Sequence, residues 1–239
     1  MSILSLEGVG KRFAGLRVID GISFEVTERS ITSIVGPNGA GKSTLFNIIS
    51  GYLKPTEGRV AFRGETITGL APYHICRRGI ARAFQISKPF PELSLRENVL
   101  VAANFGRAGE RDVDTVTHQA LDICNLRPVA AQQARTLSIG NLRRLEIARA
   151  IAARPLLLLA DEPCAGLNDT ETRELSEVLL RIRDSGITVL LVEHDLKAVR
   201  SVSDRVIVIE AGRQIADGTA DEVFADQAVI DAYLGVPMT

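Results

Sequence analysis

The chain has 239 residues, 46% of them hydrophobic, and a formal net charge of −1 from 28 Lys and Arg against 29 Asp and Glu. That apolar content can bury a sizeable core, in one large domain or two small ones. The near-neutral charge gives no global drive toward nucleic acid, leaving only local patches to supply one. The densest apolar run, Leu156 to Ala160, is far too short to cross a bilayer, so any membrane association is expected to go through a partner or the surface.

The opening residues, Met1 to Glu7, lack the basic and long apolar regions of an export leader, and none is expected. Short strands are expected at Leu4–Val9, Arg17–Val26 and Ile31–Val35, where β-branched residues dominate. The third strand runs into Gly36-Pro37-Asn38-Gly39-Ala40-Gly41-Lys42-Ser43-Thr44, which contains the pattern G-x-x-x-x-G-K-[ST]. Its glycines let backbone N–H groups turn inward around an anion. Lys42 carries a charge for β- and γ-phosphates, and the Ser43 hydroxyl can ligate Mg²⁺. A plain glycine turn is the alternative. It accounts poorly for a strand before the loop and a helix, Leu45 to Ser50 closed by Gly51, after it.

A further strand at Gly58–Phe62 suggests a partly antiparallel layer around the loop. Strand Gly79–Phe84 leads to Gln85, which reads either as an exposed loop glutamine or as an amide that senses Mg²⁺ or water. The middle of the chain turns helical, at Leu95–Asn104 and Val113–Asn125, on either side of a polar loop from Phe105 to Arg111. Helix Leu142–Ala153 precedes strand Leu156–Ala160, which ends in the carboxylates Asp161 and Glu162. Ligands of open parallel sheets sit beyond the carboxyl ends of strands. Asp161 is therefore expected to hold Mg²⁺ with Ser43, and Glu162, pointing elsewhere, to polarise an attacking water. In helix Glu171–Asp184, Leu175, Val178, Leu179 and Ile182 form an apolar stripe. Strand Thr188–Val192 follows and ends at Glu193-His194-Asp195, where His194 is either a polar loop residue or a contact for phosphate or water. Strand Arg205–Ile209 and a small hairpin and helix close the chain. Cys76, Cys124 and Cys164, odd in number and without a C-x-x-C pair, argue against a disulfide framework and fit a reducing cytosol.

Repeated strand–helix units imply an α/β fold with a mixed sheet covered by helices. The expected division is a nucleotide-binding core at 1–91 and 155–239, with a helical insertion at 92–154.

The segment Leu137-Ser138-Ile139-Gly140-Asn141 through Ala150 resembles the signature of ATP-binding cassette (ABC) proteins, usually Leu-Ser-Gly-Gly-Gln. The order of phosphate loop, glutamine, signature, acidic strand end and histidine matches that family along essentially the whole chain. The resemblance implies the P-loop ABC ATPase fold, with a RecA-like core, an antiparallel β layer and a helical signature subdomain. By the same resemblance Phe13 is the adenine-stacking aromatic, Gln85 the Q-loop residue and His194 the switch histidine. Ser138 and Gly140 would meet the γ-phosphate of another subunit's ATP. Arg143 and Arg144, on the same helix, read as a solvated or packed face rather than as a nucleic-acid patch.

The implied assembly is a head-to-tail dimer, of like or unlike ATPase subunits, that sandwiches two ATP molecules with Mg²⁺. It would join two integral membrane permeases, with a groove at Gln85–Leu95 and the helical insertion taking their coupling helices. A solute-binding protein takes part indirectly, no nucleic acid is expected, and the subunit would lie peripherally on the cytoplasmic face of a bacterial inner membrane. Ile139, Asn141, Ala160 and Asn168 depart from common family residues but leave the hydrolytic set intact. Leu145–Arg149, Ala165–Asn168, Val192–Leu196 and the terminal Ala232-Tyr233-Leu234-Gly235 resemble the ATPases of branched-chain amino-acid importers, and the histidine-bearing partner among them. Urea or amide importers and the lipopolysaccharide-export ATPase are near neighbours. A soluble cassette acting on ribosomes or DNA usually carries tandem cassettes or coiled-coil insertions, and this sequence has neither. A regulatory subunit without turnover would not be expected to keep Lys42, Asp161, Glu162 and His194.

Overall fold

The computed structural model describes residues 1–85, 88–107 and 112–234. In chain order the elements are β1 (Ser2–Phe13), β2 (Leu16–Thr27), β3 (Ile31–Val35), α1 (Lys42–Ile49), β4 (Glu57–Phe62), β5 (Glu65–Thr66), α2 (Pro72–Arg78), β6 (Ile80–Ala83), α3 (Leu95–Phe105), α4 (Val113–Ile123), α5 (Ile139–Ala152), β7 (Leu157–Asp161), α6 (Asp169–Asp184), β8 (Thr188–Val192), α7 (Leu196–Val202), β9 (Arg205–Glu210), β10 (Arg213–Gly218), α8 (Ala220–Phe224) and α9 (Gln227–Leu234). They fall into two compact units, Met1–Pro72 with the chain from Leu190 onward, and Tyr73–Val189.

The first unit carries an antiparallel sheet in the order β2-β1-β4-β5. β1 and β2 meet through Ala14 and Gly15, both at positive φ, a two-residue turn whose twist matches the strands it joins. Along β2, Ile19, Ile22, Phe24 and Val26 are buried while the residues between them face outward, as in a sheet with one wet face. β3, buried at every position, pairs in parallel with β9, which pairs antiparallel with β10. Behind these strands Val35, Val206 and Val208 pack with Val199, Ala220, Val223 and Val229 from α7, α8 and α9. β-branched side chains fill this layer because each is stiff at χ1 and fits a pleated surface.

In the second unit β6 pairs in parallel with β7, Ile80 opposite Leu157 and Ala83 opposite Ala160. β7 is buried throughout and ends at Asp161. α3 begins with a capping box between Ser94 and Glu97. The fully buried Asn98 holds the preceding turn by accepting from the Phe90 N–H at 2.8 Å and donating to the carbonyls of Phe90, Leu93 and Ser94. α6 buries the expected stripe of Leu175, Val178, Leu179 and Ile182.

The expected mixed α/β architecture with an antiparallel layer is present. α1 begins at Lys42, three residues before the apolar pattern does, because the end of the phosphate loop is also the helix's first turn. α5 and α6 likewise start earlier, at polar caps that hydrophobic periodicity does not register. Short elements such as β5 and α2 are too brief to establish a period and leave no signature in the sequence. Of the expected polar loop at 105–111, residues 108–111 lie outside the described residues, as do 86 and 87 of the expected docking groove and Gly235 of the terminal string. Among the described residues no helix is long and apolar enough to cross a membrane. All three cysteines are free.

Candidate functional site

The phosphate loop of the first unit is shaped by backbone contacts that admit only glycine. A Cβ on Gly36, at φ 150°, would lie 1.9 Å from the Ile209 carbonyl oxygen. One on Gly41, at φ 103°, would lie 2.5 Å from Ile19 Cδ1 and 3.0 Å from the Val18 carbonyl oxygen. Gly41 is also the N-cap of α1 and gives the first turn no side-chain cap, so N–H groups at the positive end of the helix face the loop. Such an end is suited to phosphate. Lys42 is 5% exposed, and its Nζ donates to the carbonyls of Gly36 at 2.8 Å and Pro37 at 3.0 Å. The ammonium is thus held inside the loop by acceptors that a phosphate can replace. Ser43 is exposed and Thr44 half-buried, while Leu45, Phe46, Ile48 and Ile49 anchor α1 in the core. Pro37 is half-buried, Asn38 and Gly39 are exposed and Ala40 is buried.

The β9–β10 turn and α9 support the surroundings of this loop. The Gly212 N–H of the β9–β10 turn donates to the Ala40 carbonyl at 3.1 Å, and the Asp20 N–H donates to the Gly212 carbonyl at 2.8 Å. The Tyr233 ring of α9 packs on the cluster around Val35. Burial raises the Tyr233 pKa above the usual phenol range, and interaction with the Gly36 backbone opposes that rise. Phe13 stands 41% exposed at the tip of the β1–β2 hairpin, with Lys11 Nζ 5.0 Å from its ring centroid. His194, just past β8, is about half exposed, and its N–H donates to the Glu193 carboxylate at 3.1 Å. Glu193 is completely buried, and its own N–H donates to the Ile34 carbonyl of β3.

In the second unit the two strand-end carboxylates are separated by backbone conformation. Asp161 closes β7 in extended form, while Glu162 adopts φ 47°, a left-handed conformation rare for a residue with a side chain and concentrated at functional sites. Each carboxylate meets a side chain from the end of β6. Arg82 Nη2 lies 2.5 Å from Asp161 Oδ2 with both side chains about nine-tenths buried. Gln85 Nε2 donates to Glu162 Oε2 at 2.6 Å.

Ser138 caps α5, its hydroxyl accepting from the Asn141 N–H at 3.3 Å. Gly140 sits under α6, where a Cβ would lie 2.9 Å from Glu171 Oε1. Arg143 and Arg144 are packed rather than displayed for nucleic acid: Arg143 donates to the Ala165 carbonyl at 3.0 Å, and Arg144 meets Asn141 at 2.9 Å and Glu174 at 3.3 Å. Asn168 caps α6 in a box with Glu171, so asparagine serves as helix cap where many cassettes carry aspartate.

Arg82 and the buried Glu193 were missed as components of the site. The signal for Arg82 was a lone charge inside the apolar strand Ile80-Ala81-Arg82-Ala83, two residues before a likewise apolar Phe84. A charge there needs a buried partner.

The ABC transporter family model matches residues 19–165, and the model for branched-chain amino acid ATP-binding cassette transporters matches residues 213–238. This chain belongs to the ABC transporter ATP-binding family. The cassette is 41% identical to the high-affinity branched-chain amino acid transport ATP-binding protein BraF of Pseudomonas aeruginosa, over 98% of each chain. It superposes on the ADP conformation of MJ1267, an ATP-binding cassette of an ABC transporter, with a TM-score of 0.89 and 31% identity over 98% of this chain and 99% of that one. It also matches the dimeric post-hydrolysis state of the cassette MJ0796 bound to ADP and Pi, with a TM-score of 0.80 and 27% identity over 91% and 99%. Membership places nucleotide binding in this cassette.

Proposed function

We propose that this cassette is the ATP-hydrolysing subunit of an importer of branched-chain amino acids or a related small polar solute. The observation that carries the solute class is the match of residues 213–238 to the branched-chain family model, in a chain like BraF from end to end. Tyr233, inside that segment, packs on the cluster that holds Val35 at the entrance to the phosphate loop, and β10 begins the segment as a strand paired with β9, so the segment is integral to the fold rather than an appendage. The proposed domain plan keeps residues 92–154 as the helical signature subdomain and the remainder as the nucleotide-binding core.

In this reading Phe13 stacks on adenine, and residues Gly36 to Thr44 enclose the phosphates with Lys42 as their fixed charge. Ser43, Asp161 and Gln85 would hold Mg²⁺. The donors fit a hard cation: a hydroxyl, a carboxylate and an amide oxygen are ligands magnesium accepts, usually beside phosphate and water. Among the described residues no group of three or more His, Cys, Asp or Glu gathers as an all-protein cage, in keeping with an ion held largely by nucleotide and water. When bound, the ion would offset charge on the β- and γ-phosphates. Glu162 accepts the proton of the attacking water as its oxygen bonds to the γ-phosphorus and the bond to the bridging oxygen of ADP breaks. His194 steadies the water and γ-phosphate, its orientation set by Glu193.

Ser138 and Gly140 complete the site of a second ATPase subunit, like or unlike this one, in a two-fold dimer of the kind that MJ0796 forms. ATP closes that dimer and phosphate release opens it, moving two permeases that receive solute from a binding protein. The cassette would lie on the cytoplasmic face of the inner membrane, attached through the permeases. Glu162→Gln removes the base and keeps its shape, so ATP binding is expected to persist while hydrolysis falls by about 10²–10⁴. Wild-type single-turnover hydrolysis by that variant would remove Glu162 from its role.

A further inference from the structure

One short segment controls both strand-end carboxylates. Arg82 reaches Asp161 at 2.5 Å and Gln85 reaches Glu162 at 2.6 Å, and only Ala83 and Phe84 separate them. Arg82 is well fixed. Its strand register sets it opposite Leu159 on β7, two residues before Asp161. On its other side the guanidinium carbon lies 4.8 Å from the centroid of the Phe84 ring. Arginine keeps its charge at any physiological pH, so this contact is not switched by protons. Burial of both partners strengthens the attraction and makes loss of either one costly.

Asp161 is the carboxylate assigned above to Mg²⁺, and the following inference rests on that assignment. We propose that Arg82 is a built-in counter-cation that competes with Mg²⁺ for Asp161. Without nucleotide it neutralises the buried carboxylate and keeps β7 intact at its end. Metal and nucleotide arriving together must share or displace it, because a guanidinium and a divalent cation repel each other across one carboxylate. Arg82 is thus a positioning residue that sets how much Mg²⁺ the site requires, and it touches no reacting atom. The cassette would reject metal without nucleotide, since Mg²⁺ alone lacks the phosphate oxygens needed to outcompete a resident charge.

The test is a Mg²⁺ titration of the binding of a non-hydrolysable ATP analogue to the full chain, with melting midpoints in EDTA and in excess Mg²⁺ plus analogue. Arg82→Met keeps length and removes charge. It should lower the Mg²⁺ concentration for half-maximal binding by about tenfold, the scale of one close charge in a partly buried site. Its melting midpoint in EDTA should drop, and the deficit should shrink once metal and analogue are bound. Arg82→Lys keeps the charge on a differently shaped, non-planar head and should move the Mg²⁺ midpoint in the same direction by less, which keeps the test usable if the Met variant fails to fold. A Mg²⁺ midpoint that stays put or rises in these variants overturns the proposal, even if their stability falls. Wild-type binding that ignores Mg²⁺ altogether overturns the assignment of Asp161 beneath it, a result separable from the first.

Discussion

The phosphate loop and the acidic strand end reach chemical readiness by opposite means. The loop is a backbone device. Gly36 and Gly41 are fixed by the contacts a Cβ there would make with Ile209, Ile19 and Val18, and the groups proposed to bind phosphate are backbone N–H dipoles. The strand end is a side-chain device. Asp161 and Glu162 are set apart by the left-handed backbone of Glu162 and are held by side-chain contacts from Arg82 and Gln85. On the proposed roles, a backbone cradle for the phosphates and a pair of carboxylates held by side chains for the hydrolytic step form a division of labour suited to an enzyme that binds first and hydrolyses later.

That contrast can be broken most severely in the cradle. Gly36→Ala sets a methyl against a carbonyl oxygen that belongs to β9 and cannot rotate away. Overpacking costs about 1–3 kcal/mol, and a backbone clash belongs at the top of that range. Nucleotide affinity measured by calorimetry is expected to fall by about a hundredfold. Wild-type affinity would show that the loop adapts and is not the rigid partner.

Lys42→Ala probes the charged side chain proposed to meet the phosphates in the cradle. It removes a charge-assisted contact worth about 1.5–3 kcal/mol, so a loss of roughly ten- to a hundredfold in ATP affinity is expected. Because Lys42 is held by loop carbonyls at 2.8 and 3.0 Å, the variant should also melt earlier without nucleotide. Unchanged affinity would mean that the backbone alone binds the phosphates.

The smallest effect is expected at Asn168, outside both devices. Asn168→Ala removes a cap that accepts from the N–H groups of Thr170 and Glu171, each at 3.0 Å. The loss should be about 1 kcal/mol, a shift of some 2–4 °C in melting temperature, with nucleotide affinity intact. Asn168→Asp should restore stability, since either residue caps well. Loss of ATP binding in Asn168→Ala would tie this cap to the cradle.

The same contrast explains what was legible in the sequence. A backbone device must spend glycines at fixed spacing, and these stand out beside the β-branched strand Ile31–Val35 and the apolar helix that follows. Asp161 and Glu162 were visible because two charges closing an apolar run have few bland explanations. The partner of each carboxylate was harder to see. Gln85 stands 77 residues before Glu162 and Arg82 79 before Asp161, and only the parallel pairing of β6 with β7 brings them together. Glu193 was hidden for a related reason: a glutamate at a strand end reads as solvent-exposed until β8 is laid against Ile34 and the side chain is buried. Phe13, Gln85 and His194 carried no signal of their own and became readable only through the order of the family's motifs.

Import driven by this ATPase is the central proposal. The most direct measurement is ATP hydrolysis and solute uptake by the cassette reconstituted in proteoliposomes with its permease pair, its partner ATPase and its solute-binding protein. Binding protein loaded with a branched-chain amino acid is expected to raise hydrolysis and drive uptake into the compartment on the cassette's side, and Glu162→Gln to abolish both. Hydrolysis indifferent to the loaded binding protein, or uptake that survives Glu162→Gln, would contradict it.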